Sequence, residues 1–495
     1  MTRVNSLKAS TNGIGLAVIL LLMPTLVNAN TLCVNPSDAD NCYETIQSAV
    51  DAAVSGDLIL ISPHPDPTGY NENVTISTSG LTLRGNTIAP SANLNDQACP
   101  AVVIDGCETP AGPTTCNAVS FAVDAADTVI ERILLRNGRI NFDANSSDSV
   151  LRESCIIGNT THSSVSTTGV VNTLASVEGL IVERSVFQGG MSRSIDFEGD
   201  RIVIRHNQLY AVDDGIRVVG DDMHIASNTM RLCNDFCLNL SGDRMAVEGN
   251  LLVGGDAGIR ATGDQVSIVG NVVERFSGRR NIRVSCGSLS TCTGGVVSGN
   301  RVSFNLDDQA LIQIQNAAHF IIEDNWLAFG AGHGLDFGGR DSQIRGNEIY
   351  RSGSEGAQNA CLYMHDFFGS GYVNNIVENN QLSLCPMNGI YQAGGTGNEY
   401  RNNVIVGAGQ AGIRVNKGDE TVIENNQISG THGEGIANLL REFDVSSEGA
   451  INTHIINNTL INNRVDICSD TTLATFSGNT FSSGGEDTSC LINSP

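Results

Sequence analysis

The stretch "VDDGIRVVGDDMHIASNTM", residues 212 to 230, has close relatives further along the chain: "GDAGIRATGDQVSIVGNVV" at 255 to 273 and "GQAGIRVNKGDETVIENNQI" at 409 to 428. Aligning the segment (Ile/Val)-x-x-Asn-x-(Ile/Leu/Val) places asparagines at 207, 228, 250, 271, 300, 325, 347, 380, 403, 426, 458 and 479, with most steps 21 to 25 residues long. A period of that length, repeated this often, marks a solenoid. Within each unit, short alternations of apolar and polar residues are broken by Gly, Asn and Asp, which reads as strands and turns. One coil of three short strands cannot bury its own inner face. Coils stacked in parallel register at about 4.8 Å share one tubular core.

The recurrent asparagine has a physical role in such a stack. At a fixed turn it tolerates the left-handed backbone conformation, and its amide can hydrogen-bond the asparagines above and below. The pairs Gly199-Asp200, Gly220-Asp221, Gly242-Asp243, Gly263-Asp264 and Gly418-Asp419 fall between two strands and read as turns. On this reading Asp221 and Asp264 belong to the repeat and not to a catalytic site.

Upstream of the repeats the pattern changes. Arg3, Lys8, the apolar run "IGLAVILLLMPTLV" and "VNA" before Asn30 predict a secretory signal over residues 1 to 29, and hence a secreted or periplasmic protein. No second apolar run is long enough for a membrane span. In "YETIQSAVDAAVSGD", Ile46, Ala49, Val50 and Ala53 share one helical face, which predicts a capping helix within residues 30 to 55 over the open end of the tube. Residues 56 to 495 then form the solenoid, with less regular coils up to residue 190, where apolar bursts such as "TVIERILLR" and "SVLRESCII" lack clean asparagine phasing.

A net charge of -25 argues against sequence-independent binding to nucleic acid or anionic lipid, both of which need a basic surface. It leaves room for an anionic sugar held by a local arginine cluster. Fourteen cysteines without paired C-x2-C spacings predict disulfides in an oxidising compartment.

The opening "TIQSAVDAAVSGDLILISP", "NVTIS" and "LTLRG", followed by the Gly-Ile-Arg and asparagine repeats, resembles the pectate-lyase-like superfamily of right-handed parallel β-helix proteins over nearly the whole mature chain. The resemblance implies an all-β, right-handed parallel β-helix solenoid. It implies function only broadly, because that superfamily includes lyases, hydrolases, esterases, epimerases, phage tailspikes and adhesins.

Stacking also sorts the cysteines. Cys468 and Cys490 fall at nearly the same station of adjacent coils, Cys361 and Cys385 join neighbouring coils, and parallel strands bring such stations to a spacing of about 5 Å, which a disulfide accepts. Cys33 with Cys42 and Cys286 with Cys292 close local loops, as Cys233 and Cys237 can; Cys99, Cys107, Cys116 and Cys155 receive no assignment.

In the strand Gly-Ile-Arg-Val, alternation turns Ile216 and Val218 inward and Arg217 outward. Reading that outward station down the stack gives Asp196, Arg217, Asn239, Arg260, Arg283, Gln313, Asp336, Tyr363, Tyr391, Arg414 and Ala437. A second outward station adds Glu198, Gln315, His365 and Asn416, with Lys417 just beyond. Tyrosines stack on sugar faces and arginines pair with carboxylate or sulfate, so Arg217, Tyr363, Tyr391, Arg414 and Lys417 are candidates for substrate binding. Arg260 with Arg283, or Asp336 with His365, are candidates for catalysis: elimination needs a base for the proton α to a uronate carboxyl and a cation to neutralise that carboxyl. Asp196 and Glu198, alternate residues on one face, could hold calcium, although no cofactor is required. The three longest units carry extra residues after this strand, at 286, 366 and 441, on the side where insertions commonly build a binding face.

Two short motifs, "DDGI" at 213 and "GHGLDFGG" at 332, look like the paired-aspartate and Gly-His-Gly motifs of polygalacturonases, and "RVNK" at 414 is distantly similar to their Arg-Ile-Lys segment. Here five coils separate the first two, which puts Asp213 or Asp214 roughly 20 Å or more from His333 along the axis and argues against that mechanism. The expected function is binding an extended anionic polysaccharide and cleaving or modifying it by elimination or hydrolysis. The alternative is a non-catalytic surface or matrix adhesin or structural solenoid. Oligomeric state stays open.

Overall fold

The computed structural model describes residues 29–38, 41–86, 99–106, 119–158, 170–189, 193–285, 292–353, 359–365, 372–439, 452–469, 474–482 and 486–487. Nearly all of the predicted signal segment, Cys107, Cys116, Cys286, Cys490 and most of the three long insertions lie outside the described residues.

The strands form two sheets, of 18 and 32 strands, and every strand pairing is parallel. A representative coil runs through Val203–Arg205 in the smaller sheet, then Gln208–Tyr210 and Asp214–Val219 in the larger. The next coil adds His224–Ala226 and the long run Thr229–Ser241, paired residue against residue with the coil before. The molecule is a right-handed parallel β-helix, as the repeat and the resemblance lead one to expect.

Three files of apolar side chains line its interior: Ile204, Ile225 and Val247; Leu209, Met230 and Leu252; Ile216, Leu238 and Ile259, all 0–1% exposed. Each buried side chain of this size contributes about 1.5–3 kcal/mol. Between coils the amides of the twelve aligned asparagines form one continuous ladder. Asn207 Nδ2 donates to Asn228 Oδ1 (3.1 Å), Asn228 to Asn250 (3.0 Å), Asn250 to Asn271 (3.0 Å), and so on to Asn458 and Asn479 (3.1 Å). Each Oδ1 also accepts the backbone N–H of the preceding asparagine, as Asn250 does from Asn228 (2.9 Å).

The left-handed conformation falls one residue earlier than the sequence suggests. His206, Ser227, Asp324, Asn379 and Asn402, each just before a ladder asparagine, have φ between 54° and 56°. The ladder asparagine stays in ordinary geometry and lends only its amide. Serines extend the ladder upstream: Ser154 N–H donates to Ser185 Oγ (3.2 Å), and Ser185 N–H to Asn207 Oδ1 (3.0 Å). Coils that read as irregular before residue 190 therefore keep the same stacking with a shorter side chain.

The Gly-Asp turns are structural. Gly220 has φ 153°, and a Cβ there would collide with the Gly199 carbonyl one coil below. Asp221 N–H donates to Asp200 Oδ1 (2.7 Å), Asp243 N–H to Asp221 Oδ1 and Asp264 N–H to Asp243 Oδ1 (both 2.8 Å).

The predicted helix spans Ile46–Ala52, with Ile46, Ala49 and Val50 buried in the common core. Thr45 caps it by accepting the Ser48 N–H (3.1 Å), and the Glu72 carboxylate accepts the N–H groups of Ile46 and Gln47. Disulfides join Cys33 to Cys42, Cys361 to Cys385 and Cys233 to Cys237. A fourth, Cys99 to Cys155, with Cα atoms 5.6 Å apart, pairs two cysteines that spacing left unassigned. Cys292 and Cys468 are disulfide-bonded as well; their expected partners lie outside the described residues. Among the described residues no helix is long and apolar enough to cross a membrane.

Candidate functional site

Parallel register carries the outward station from coil to coil without a slip. Asp196 pairs with Arg217, Arg217 with Asn239, Asn239 with Arg260, Arg260 with Arg283, Arg283 with Gln313, Gln313 with Asp336, Asp336 with Tyr363, Tyr363 with Tyr391, and Tyr391 with Arg414. The six steps from Arg260 to Arg414 span about 29 Å. The column is nevertheless not uniformly wet: Gln313, Asp336 and Tyr391 are 3–4% exposed.

Its centre is the strand Leu335–Arg340 and its two neighbours. Asp336 Oδ2 accepts from Gln313 Nε2 (2.6 Å) on the preceding coil, and Asp336 Oδ1 lies 3.0 Å from His365 Nε2 on the following one. A carboxylate only accepts, so the shared hydrogen sits on the histidine. Asp336 and His365, singled out on different stations of adjacent coils, are thus brought into direct contact. His333 and His365 both stack on the Tyr363 ring, at centroid separations of 4.4 and 4.5 Å. Burial pushes His333 below the ordinary histidine range, against the pull of Asp336. The Ala360 N–H donates to its Nδ1 (3.3 Å).

On the coils before this centre lie three arginines, Arg260, Arg280 and Arg283, none of which makes an ion pair among the described residues. Burial lowers the pKa of Arg283, and the charges of Arg280 and Arg260 lower it further; burial likewise lowers that of Arg280. Arg283 donates one bond, to Gln315 Oε1 (3.1 Å), but its Nε, the Nε of Arg280 and Gln313 Oε1 are buried without partners. Half-buried cations with an orphaned, buried Nε–H have unmet demand for an anionic acceptor. Arg280 escaped the sequence reading because it precedes the strand; the doublet Arg279-Arg280 was the available signal, and Arg279 turns away to Asp235 (2.7 Å) and Asp256 (3.2 Å).

Several predicted residues are placed otherwise than their assigned roles suggest. Tyr363 and Tyr391 stack on each other (5.4 Å, 7° between planes), Tyr363 also carries the two histidines, and Arg414 covers Tyr391 at 5.6 Å. Their rings stack on the protein's own side chains, and a sugar stacking there would compete with these contacts. Tyr391 offers its hydroxyl, which accepts from Asn416 Nδ2 (2.8 Å). Arg217 is bound to Asp196 (2.6 Å) and lies 3.6 Å from Glu198. Arg193 takes the other oxygen of Asp196 (2.7 Å). With two guanidinium groups already on Asp196, Asp196 and Glu198 do not fit a calcium site. Lys417 stands at a left-handed turn (φ 56°) beyond the column.

Asp213 and Asp214 belong to a separate corner. Burial raises both; neighbouring carboxylates, Asp214 and Asp235, raise Asp213 further, while the Phe236 N–H and Arg193 hold Asp214 back. Asp214 is bonded to Arg193 (3.3 Å) and to the Phe236 N–H (3.2 Å), far along the stack from His333.

Fold and site together define a right-handed parallel β-helix protein with an arginine-rich outer strand file. In keeping with this, the family model "Right handed beta helix region" matches residues 284–450. Among solved structures, the chain is similar to tailspike protein 3 of bacteriophage CBA120 (10% identity, 92% of this chain and 62% of that one, TM-score 0.42). It is also similar to a mutant of a periplasmic alginate epimerase (11% identity, 72% of this chain and 78% of that one, TM-score 0.33) and to the A-module of a mannuronan C-5 epimerase from Azotobacter vinelandii (13%, 88% and 94%, TM-score 0.29). No curated protein sequence matches the chain.

Proposed function

We propose that this protein is an exported enzyme that cleaves or modifies an extended anionic polysaccharide lying along the outward column, with its chemistry at Asp336 and His365. The observation that carries the reading is the Asp336–His365 contact two ladder steps, about 10 Å, from Arg283, whose Nε–H, like that of Arg280, lacks an acceptor among the described residues. Arg280 and Arg283 supply the positive charge that a uronate or sulfate needs, and Gln313 fixes the carboxylate of Asp336. In elimination, the pair takes the proton α to the uronate carboxyl, the arginines stabilise the charge that builds on that carboxyl, and the glycosidic oxygen leaves with the electron pair of the breaking C–O bond as a C=C bond forms. In hydrolysis the same pair takes a proton from water as its oxygen attacks the anomeric carbon, while the glycosidic C–O bond breaks and the departing oxygen leaves with the bonding electron pair and takes a proton from solvent.

The test is to incubate the purified mature chain with uronate-containing, sulfated and neutral polysaccharides, with and without calcium. Ultraviolet absorbance of unsaturated uronates, new reducing ends and retention on each immobilised glycan are read together. Unsaturated ends lost in Asp336→Asn establish elimination, and reducing ends alone establish hydrolysis. Retention without products on any glycan overturns the enzyme in favour of a binding scaffold, the reading that the spread of Arg217, Arg260, Arg283 and Arg414 along the stack supports.

A further inference from the structure

We infer that the outward column grips its glycan at two anion-binding anchors, Arg283 and Arg414, with the Asp336–His365 pair midway between them. Resting on the function proposed above, this makes the substrate an anionic chain of at least six sugars, worked on in its interior and not at its ends.

Arg283 is the anchor already described, half-buried and with no acceptor for its Nε–H. The second anchor lies on the strand Ile413–Asn416. Arg414 makes no ion pair among the described residues, and its Nε is buried without a partner. The flat face of its guanidinium covers the Tyr391 ring at 5.6 Å, which leaves the N–H edge for an anion. Two residues on, Asn416 is 7% exposed. Its Nδ2 is held by the Tyr391 hydroxyl (2.8 Å), while its Oδ1 is buried with no donor. A cation short of an acceptor beside an amide oxygen short of a donor matches an acidic sugar, which carries an anionic group and hydroxyls on one ring.

Register fixes the spacing. Arg283, Gln313, Asp336, Tyr363, Tyr391 and Arg414 hold one station on six consecutive coils. From first to last they span about 24 Å. His365 shares the strand of Tyr363, so its contact with Asp336 joins the third coil to the fourth, the midpoint of the six. A pyranose in a linear chain is about as long as the roughly 4.8 Å that one coil rises, so a chain along the column sets one ring on each coil. Three rings then lie on each side of the reacting linkage. Between the anchors neither outward station holds an arginine or lysine: the first carries Gln313, Asp336, Tyr363 and Tyr391, the second Gln315, Gly338, His365 and Ala393. Gly338 and Ala393 flank His365, so the strands place no bulky side chain beside the reacting ring. Once a chain is long enough to reach both anchors, its second contact forms at high effective concentration; a shorter chain gains nothing from it.

Ladders of two to ten sugars are prepared from polygalacturonate, alginate and a sulfated galactan, and their binding to the mature Asp336→Asn chain is measured by calorimetry. On the ladder that binds, affinity should climb about 10-fold or more between five and six sugars and level off beyond. Arg414→Gln, which breaks no ion pair, should flatten that step, leaving chains of five or fewer within about two-fold of the parent and the melting temperature unchanged. Asn416→Ala should flatten it in part. The parent should divide a six-sugar substrate into two of three or, where it modifies without cutting, act on the third or fourth ring. A smooth rise without a step, a step indifferent to Arg414→Gln, or release of single sugars from an end overturns the inference. A step with no product leaves the two anchors standing and overturns the chemistry, products without a step do the reverse, and ladders that never bind overturn both.

Discussion

Two files of arginine run along the same tube and do opposite things. On the smaller sheet, the third residues of successive strands alternate in sign: Arg84, Glu131, Arg152, Glu183 and Arg205 in one stretch, and Glu323, Arg345, Glu378, Arg401 and Glu424 in another. Arg84 and Arg152 both pair with Glu131, Arg205 with Glu183 (2.7 Å), Arg345 with Glu323 (2.8 Å) and Arg401 with Glu378 (3.0 Å). On the larger sheet Arg260, Arg283 and Arg414 have an identical position in their coils yet, among the described residues, no carboxylate paired with them. An arginine that the fold has already satisfied is structure; one that the fold leaves wanting an anion points to a ligand. Arg217, bound to Asp196, falls on the structural side of that line although it shares the outward column.

The contrast can be broken by substitution. Asp336→Asn or His365→Gln removes the proton-moving pair and should lower turnover about 10²–10⁴-fold, with melting little changed, read by polysaccharide kinetics beside calorimetry. Arg283→Gln should cost roughly 10²-fold in kcat/KM on an anionic glycan and nothing in stability, since no ion pair is lost. Asn271→Ala, an interior control, strips an acceptor from the buried N–H of Asn250 and should destabilise the fold by about 2–4 kcal/mol in chemical denaturation, leaving kcat intact. Arg205→Ala, on the paired file, should change stability by less than about 1 kcal/mol and leave activity untouched, because its side chain is 44% exposed.

The smallest effect concerns pH. Burial and neighbouring carboxylates favour the protonated form of Asp213 in the folded state, so folding takes up a proton there. That contribution is complete below the unfolded carboxyl pKa and lost as pH rises through the raised folded one. Asp213→Asn should therefore melt slightly higher than the parent at pH 7, with the gain vanishing on acidification toward pH 3.

Much of this was legible in the sequence because a parallel stack has one period and no freedom of register: once Ile216, Ile259 and Ile413 are aligned, their neighbours Arg217, Arg260 and Arg414 must form a file. What the period does not encode is how far a side chain reaches across coils. Arg193 reaching Asp196 and Asp214, Gln313 reaching Asp336, and the histidines closing over Tyr363 depend on side-chain direction, which strand spacing leaves open. The serine rungs at 154 and 185 escaped for a different reason: a hydroxyl can fill the acceptor role of an amide, so the pattern of residue types broke while the hydrogen bonding did not.

The alternating arginine–glutamate file also works as a parity check on assembly. A repetitive chain risks stacking a coil on the wrong neighbour, because every coil presents much the same apolar interior. If the coil of Arg152 is skipped, Glu131 meets Glu183, and if the coil of Glu183 is skipped, Arg152 meets Arg205, so either slip sets like charges together at the joint. Such a slip forfeits the ion pairs and adds repulsion in their place, so the outer charges distinguish the correct winding from the frame-shifted one that the core alone would accept.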